Sequence, residues 1–249
     1  MALFTDGNIA SIEDLKEYES AVLQTANIEA IDVTAKLKLA QREIGFEVAS
    51  FIGRHGYTSP GDLGRVVTSD TLLNWHCLRT LELIYRDAYN SQLNDRYLGK
   101  WKEYIQAAAR AGAIAMELGI GMVSLPISRA ALPTCGTEAG GGLGARTYSV
   151  SIAWHAANGS TGERSESAVA VIPVSGLLTV SGTAPSGGAT GWYVYAGSPE
   201  GELRRQNELP LGSGALWTEP VSGLRTDLPT MPVQRPDWYV RNRRVLPRG

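Results

Sequence analysis

The chain is poor in the residues that build covalent or metal-held scaffolds. Among 249 residues there are two cysteines, Cys77 and Cys135, and three histidines. One cysteine falls in an expected helix and the other in a loop, which makes neither a disulfide framework nor a zinc spacing. His55, His76 and His155 lie in separate elements with no second ligand at metal-binding spacing, so no metal site is expected. Signatures of catalysis are missing as well. There is no Gly-x-Ser-x-Gly elbow, and the glycines at 140–144 are not followed by the Gly-Lys-Ser/Thr of a phosphate loop. The acid pairs Glu13/Glu17 and Glu163/Glu166 are too close in sequence to face each other across a glycosidase cleft. They read as solvated faces, and Asp87, set among Leu83, Tyr85 and Tyr89, is the remaining acid weighed as a candidate for chemistry. No catalytic residue and no cofactor is expected, and the chain reads as a non-enzyme.

Excess charge of either sign is also lacking. Twenty-three basic residues face 25 acidic ones, a net charge of -2, so no global field would hold nucleic acid by counterion release. The longest apolar stretch, 107–125, is interrupted by Arg110 and Glu117, which excludes a membrane span. The first residues lack the basic and apolar regions of a signal peptide, so export is not expected and the protein should be soluble.

What is present divides by periodicity. In the first 130 residues apolar side chains recur at helical spacing. Ser11 and Asp14 resemble a helix start, followed by Ile12, Leu15, Tyr18, Val22 and Leu23. A second run extends from Ile28 to Ile52 and should end at the glycines 53–56. Ser59-Pro60-Gly61 marks a loop, after which Ser69 or Asp70 caps a third helix through Leu72, Trp75, Leu81 and Tyr89. A fourth is expected from Asp95 to Leu118, stopped by Gly119 and Gly121, and its alanine and glycine face allows close helix packing.

From Arg146 the period becomes two: Tyr148, Val150, Ile152 and Trp154 alternate with small or polar residues. Further strands are expected at 168–174, 177–183, 192–195, 203–211 and 215–218, separated by Gly and Pro turns in the manner of a β-sandwich. Trp192 and Val194 should point to one face, and Tyr193 and Tyr195 to an exposed opposite face. The glycine- and proline-rich stretch 131–145 reads as a linker or a loose first strand. Residues 229–249 open with prolines at 229, 232 and 236 and continue with Trp238-Tyr239 and a run of arginines. Such a tail cannot build a core, and Trp238, Tyr239, Arg241, Arg243, Arg244 and Arg248 are the candidate partner-binding residues.

The fold class expected is therefore α+β with two domains: an antiparallel helical bundle (1–130), a linker (131–145), a sandwich (146–228) and an extended tail (229–249). This order, with Gly191-Trp192-Tyr193-Val194-Tyr195-Ala196-Gly197, Trp217-Thr218-Glu219-Pro220 and the Arg-rich end, resembles the head-to-tail connector, or adaptor, proteins of tailed bacteriophages that carry a fibronectin-III-like or immunoglobulin-like domain. The resemblance implies a structural virion protein of the neck, made in the host cytoplasm. It implies a homo-oligomeric ring, typically a dodecamer, that binds the portal protein and a tail or nozzle protein and lets double-stranded DNA pass, with no membrane partner. Two other functions compete: a tail-associated peptidoglycan hydrolase, suggested by the carboxylates, and a carbohydrate-binding tail module, suggested by Tyr193 and Tyr195.

Overall fold

The computed structural model describes residues 1–92, 95–182, 187–199 and 201–242. The chain is α+β, with five α-helices and antiparallel sheets among the described residues, and it divides into two compact units. One comprises Phe4–Ser124 and the residues from Pro236 onward; the other comprises Met1–Leu3 and Leu125–Arg235.

In the helical unit, α1 (Ile12–Tyr18) begins with a capping box: Ser11 Oγ accepts from Asp14 N–H at 3.2 Å, and the Asp14 carboxylate accepts from Ser11 N–H at 2.6 Å. The first periodic run then breaks at Glu19, whose backbone is extended and whose carboxylate takes hydrogen bonds from Lys100 Nζ (2.5 Å) and the Tyr104 hydroxyl (3.1 Å). Helix α2 (Val22–Ile28) follows and stops before Ala30, held at φ +53°. Asp32 caps α3 (Val33–Gly53) by accepting from Ala35 N–H, so the second expected helix starts five residues later than its periodicity suggests. A short 3-10 turn (Asp62–Arg65) precedes α4 (Asp70–Gln92) and α5 (Leu98–Leu118). The small face of α5 is core: Ala108, Ala111, Gly112 and Ala115 are buried, and a Cβ at Gly112 would lie 2.8 Å from Trp75 Cε2. Each large apolar side chain enclosed this way contributes about 1.5 to 3 kcal/mol against the ordering entropy.

Gly119 and Gly121 do more than stop a helix. Strand β1 (Ile120–Met122) begins there.

In the other unit, β2 (Thr134–Ala139), β3 (Arg146–Ala156), β4 (Ala168–Ile172), β5 (Gly176–Ser181), β6 (Ala189–Gly197), β7 (Arg204–Arg205) and β8 (Leu216–Thr218) form two antiparallel sheets ordered β2-β5-β8 and β4-β3-β6-β7. Register pairs Ile152 with Val194 and Trp154 with Trp192, which puts their side chains on one face. That face shares a core with Ile172, Leu178, Val180 and Trp217.

The segment read as a linker or a loose first strand contains β2, paired with β5 along all six of its residues. It is an edge strand with mostly exposed side chains, so it has no apolar alternation to reveal it; Gly136 is needed because a Cβ there would lie 2.8 Å from Thr179 Oγ1. The strand expected at 203–211 is only two residues long. Beyond it, side-chain amides replace the ladder: Asn207 Oδ1 accepts from Val194 N–H at 2.8 Å, and Gln206 Nε2 donates to Arg204 O and Arg225 O.

The first part of the expected tail is also spoken for. Pro232 O accepts from Thr161 N–H, Gln234 N–H donates to Thr161 O at 2.7 Å, and the buried Gln234 amide bonds both backbone groups of Ile127. Strand β9 (Trp238–Val240) follows in the helical unit, antiparallel to β1 with Ile120 opposite Val240.

Candidate partner-binding surface

Of the six tail residues expected to meet a partner, the structure describes three. Arg243, Arg244 and Arg248 lie outside the described residues. Strand β9 is fixed from both ends. The Asp237 carboxylate accepts from Ser124 N–H (2.7 Å) and Ser124 Oγ–H (2.5 Å), which holds its pKa below the usual carboxylate range. Val240 is buried with Phe51, Ile52 and Ile120. The chain can come this close because glycines stand in β1 and just before it: a Cβ at Gly121 would lie 2.7 Å from Pro236 Cγ, and one at Gly119 would lie 2.5 Å from Arg241 Cγ.

Trp238 is consequently used within its own unit. Its ring stacks on Tyr57 (centroids 6.3 Å apart, planes at 20°), and the Arg65 guanidinium sits 5.2 Å from it. Arg65 is itself held by Val123 O at 3.0 Å. The half-buried indole packs against the cluster that holds Ile120 and Met122. Tyr239, on the alternate face of the strand, is 49% exposed, and the exposed Arg241 guanidinium lies 5.3 Å from its ring. These two remain as a surface pair.

Sequence reasoning missed a second surface. An open groove of about 900 Å³ runs along the helical unit between the N-terminal loop, α3 and the loop after it. Its floor is apolar, built by Phe4, Ala49, Ile52, Tyr57 and Leu63, with Gly45 letting the Phe4 ring lie against α3. Phe46 stands at its rim, 71% exposed, and on its other side a groove of about 620 Å³ opens over Trp75 and Gly112. Lys38 and Arg42 flank the first groove, no carboxylate lines it, and neither cation has an acidic partner among the described residues. Its one signal in the sequence is Phe46, an aromatic residue at a position of α3 that the periodic stripe leaves facing water.

Comparisons with family models, with characterised proteins and with solved structures find no match.

His76 is buried; its Nδ1 accepts from Ala10 N–H at 3.0 Å, and its Nε2 meets Leu37 O at 2.9 Å, so the ring is neutral and burial lowers its pKa. His55 Nδ1 meets Phe51 O at 2.9 Å, and His155 packs edge-on to Tyr193 in the other unit. Among the described residues no cluster of His, Cys, Asp or Glu could hold a metal ion. Burial pushes the Cys77 thiol up to about 12 and raises that of Cys135. Asp87 pairs with Lys36 and Arg86. Tyr193 and Tyr195 correct the reading of an exposed aromatic face: both are buried, at 3% and 2% exposure, beneath Leu203 and Met231. No described helix is long and apolar enough to cross a membrane.

Proposed function

We propose that the chain is a structural subunit of a tailed-bacteriophage neck, a head-to-tail adaptor that forms a ring between portal and tail and continues the DNA channel. In this reading the helical unit is the ring-forming domain and the two-sheet unit an appended immunoglobulin-like sandwich. The observation that carries it is Phe46 standing exposed at the mouth of an apolar groove of about 900 Å³. Contiguous apolar surface of that kind marks a site of protein association, and a ring subunit needs unlike patches that meet on successive copies. The order of units and the exposed Tyr239–Arg241 pair support the reading as well. A net charge of -2 suits a channel through which DNA slides without adhering.

The test is direct. The purified full chain is mixed with the portal ring of its phage and followed by sedimentation and negative-stain microscopy. The expected result is a complex larger than the portal with a ring added at one end; a chain that never associates with the portal sinks the proposal. Clearing of a peptidoglycan suspension by the chain alone would instead favour the hydrolase alternative.

A further inference from the structure

We infer that the groove beside Phe46 receives a second copy of this chain, through the Glu17–Tyr18 edge of helix α1. The inference rests on the adaptor reading for its choice of occupant, and on charge and shape for its location. The groove offers an apolar floor with Lys38 and Arg42 at its side and no carboxylate. A fitting ligand brings an apolar group that ends in, or stands beside, negative charge, because two exposed cations without acidic partners among the described residues gain from an opposite charge across the contact.

The helical unit carries such a group elsewhere. Residues 11–30 hold five acids, Glu13, Asp14, Glu17, Glu19 and Glu29, against one base, Lys16. Four of the acids are engaged inside the unit: Glu13 by Lys16, Asp14 by Ser11, Glu19 by Lys100 and Tyr104, and Glu29 by Ser91. Glu17 is exposed and has no ion pair among the described residues. Beside it Tyr18 is 44% exposed, a large planar side chain with a polar tip at the end of α1. Tyr18 supplies the apolar body for the groove, and Glu17 supplies the charge for Arg42 and Lys38. Tyrosine loses few rotamers on docking, so it serves well as an anchor.

Patch and groove are different surfaces, so the contact is heterologous and propagates from copy to copy until it closes. This makes a specific prediction for mixtures. Arg42→Glu spoils the groove and Glu17→Arg spoils the edge, so each variant alone should self-associate about tenfold more weakly, or 1.4 kcal/mol per contact. Mixed in equal amounts they should assemble again, because each contact in an alternating series then joins opposite charges.

The experiment is sedimentation velocity on the full chain over a concentration series, at low and high salt. Ala49→Trp, a substitution at an exposed position of α3, fills the groove without touching the core and should also weaken association. Circular dichroism of each variant separates loss of contact from loss of fold. Restored assembly in the mixture, weakened by salt, supports the inference. A chain that stays monomeric at every concentration, or an oligomer indifferent to all three substitutions, overturns it. If these variants instead keep self-association and lose binding to the portal, the groove belongs to another protein; the inference falls while the adaptor reading stands.

Discussion

The carboxylate of Glu219, closed off from solvent, meets the Arg146 guanidinium at 2.6 Å between the two sheets of the β unit. It also accepts from the Tyr148 hydroxyl at 2.9 Å and from Leu178 N–H at 2.9 Å, so one acid from the end of β8 joins β3 to β5. Hydrogen bonding to this carboxylate raises the pKa of Arg146.

A buried pair of this kind is fragile in one direction. Glu219→Ala leaves Arg146 without its partner and Leu178 N–H without an acceptor, and should cost about 3 to 5 kcal/mol. Replacing both members, Arg146→Met with Glu219→Leu, removes the stranded charge and should recover most of that loss. Urea unfolding at constant m measures both. A single variant within about 1 kcal/mol of the parent would mean that the ion pair is incidental to the fold.

Gly121→Ala tests whether β9 belongs to the helical unit in solution. The new methyl would press on Pro236, 2.7 Å away at Cγ and 3.0 Å at Cβ, and the ring is tied to a strand with little room to give. The strand should lift from β1 and expose Val240 and the Trp238 ring, a loss of about 2 to 3 kcal/mol. Hydrogen exchange at residues 238–240 should accelerate before any change in α3 or α4. Unchanged protection in the variant would show that β9 is anchored by something other than this contact.

The helices of the fold were legible because α3, α4 and α5 each present a long apolar stripe, and β3 and β6 because they alternate on a two-residue period. What escaped has a physical reason in each case. Strand β2 lies at a sheet edge with its side chains in water, so its composition is that of a loop. Segment 232–242 takes its stability from surfaces far away in sequence, Thr161 and Ile127 for one part and β1 for the next, and no local pattern encodes such partners. Gly119 and Gly121 were visible, yet a glycine that ends a helix and one that admits a strand look alike in sequence. At the candidate surface, Tyr239 and Arg241 were legible as an aromatic and cationic pair; the groove was not, since its walls come from residues 4–8, 38–53 and 57–63 and meet only in the folded unit.

His76 sets a pH dependence whose sign follows from its partners. As the neutral ring it accepts from Ala10 N–H and donates to Leu37 O, and burial holds its pKa below the unperturbed 6.5, with the hydrogen bond to Leu37 O and then the Asp14 charge acting the other way. The unfolded chain therefore binds the proton more readily than the folded one. The stabilising contribution is complete above pH 6.5 and is lost as pH falls from there through the folded pKa. His155, also lowered by burial, adds a slope of the same sign in the other unit. Denaturant midpoints should drop between pH 7 and pH 5, and His76→Gln should flatten most of the helical unit's share. A slope that persists in full in that variant would assign the effect to other groups.

Tyr239 and Arg241 should act on binding and not on folding. The Tyr239 side chain stands on the outer face of β9, half in water, and touches the Arg241 guanidinium, whereas Trp238 and Val240 on the inner face hold the strand in place. Removing the whole tail would destroy β9 and confuse the two effects, so point substitutions are the proper instrument. Tyr239→Ala and Arg241→Ala should leave the unfolding midpoint within about 0.5 kcal/mol of the parent, as surface changes usually do. Each should weaken binding to the portal ring by about tenfold or more, in the range of aromatic and arginine anchors. Trp238→Ala should do the reverse in the first assay: it removes the ring packed between Tyr57 and Arg65 and should cost about 3 kcal/mol. The pattern separates the outer face of the strand from its inner face. Portal binding untouched by both outer substitutions would leave the end of this chain a purely structural strand, with its partner surface elsewhere.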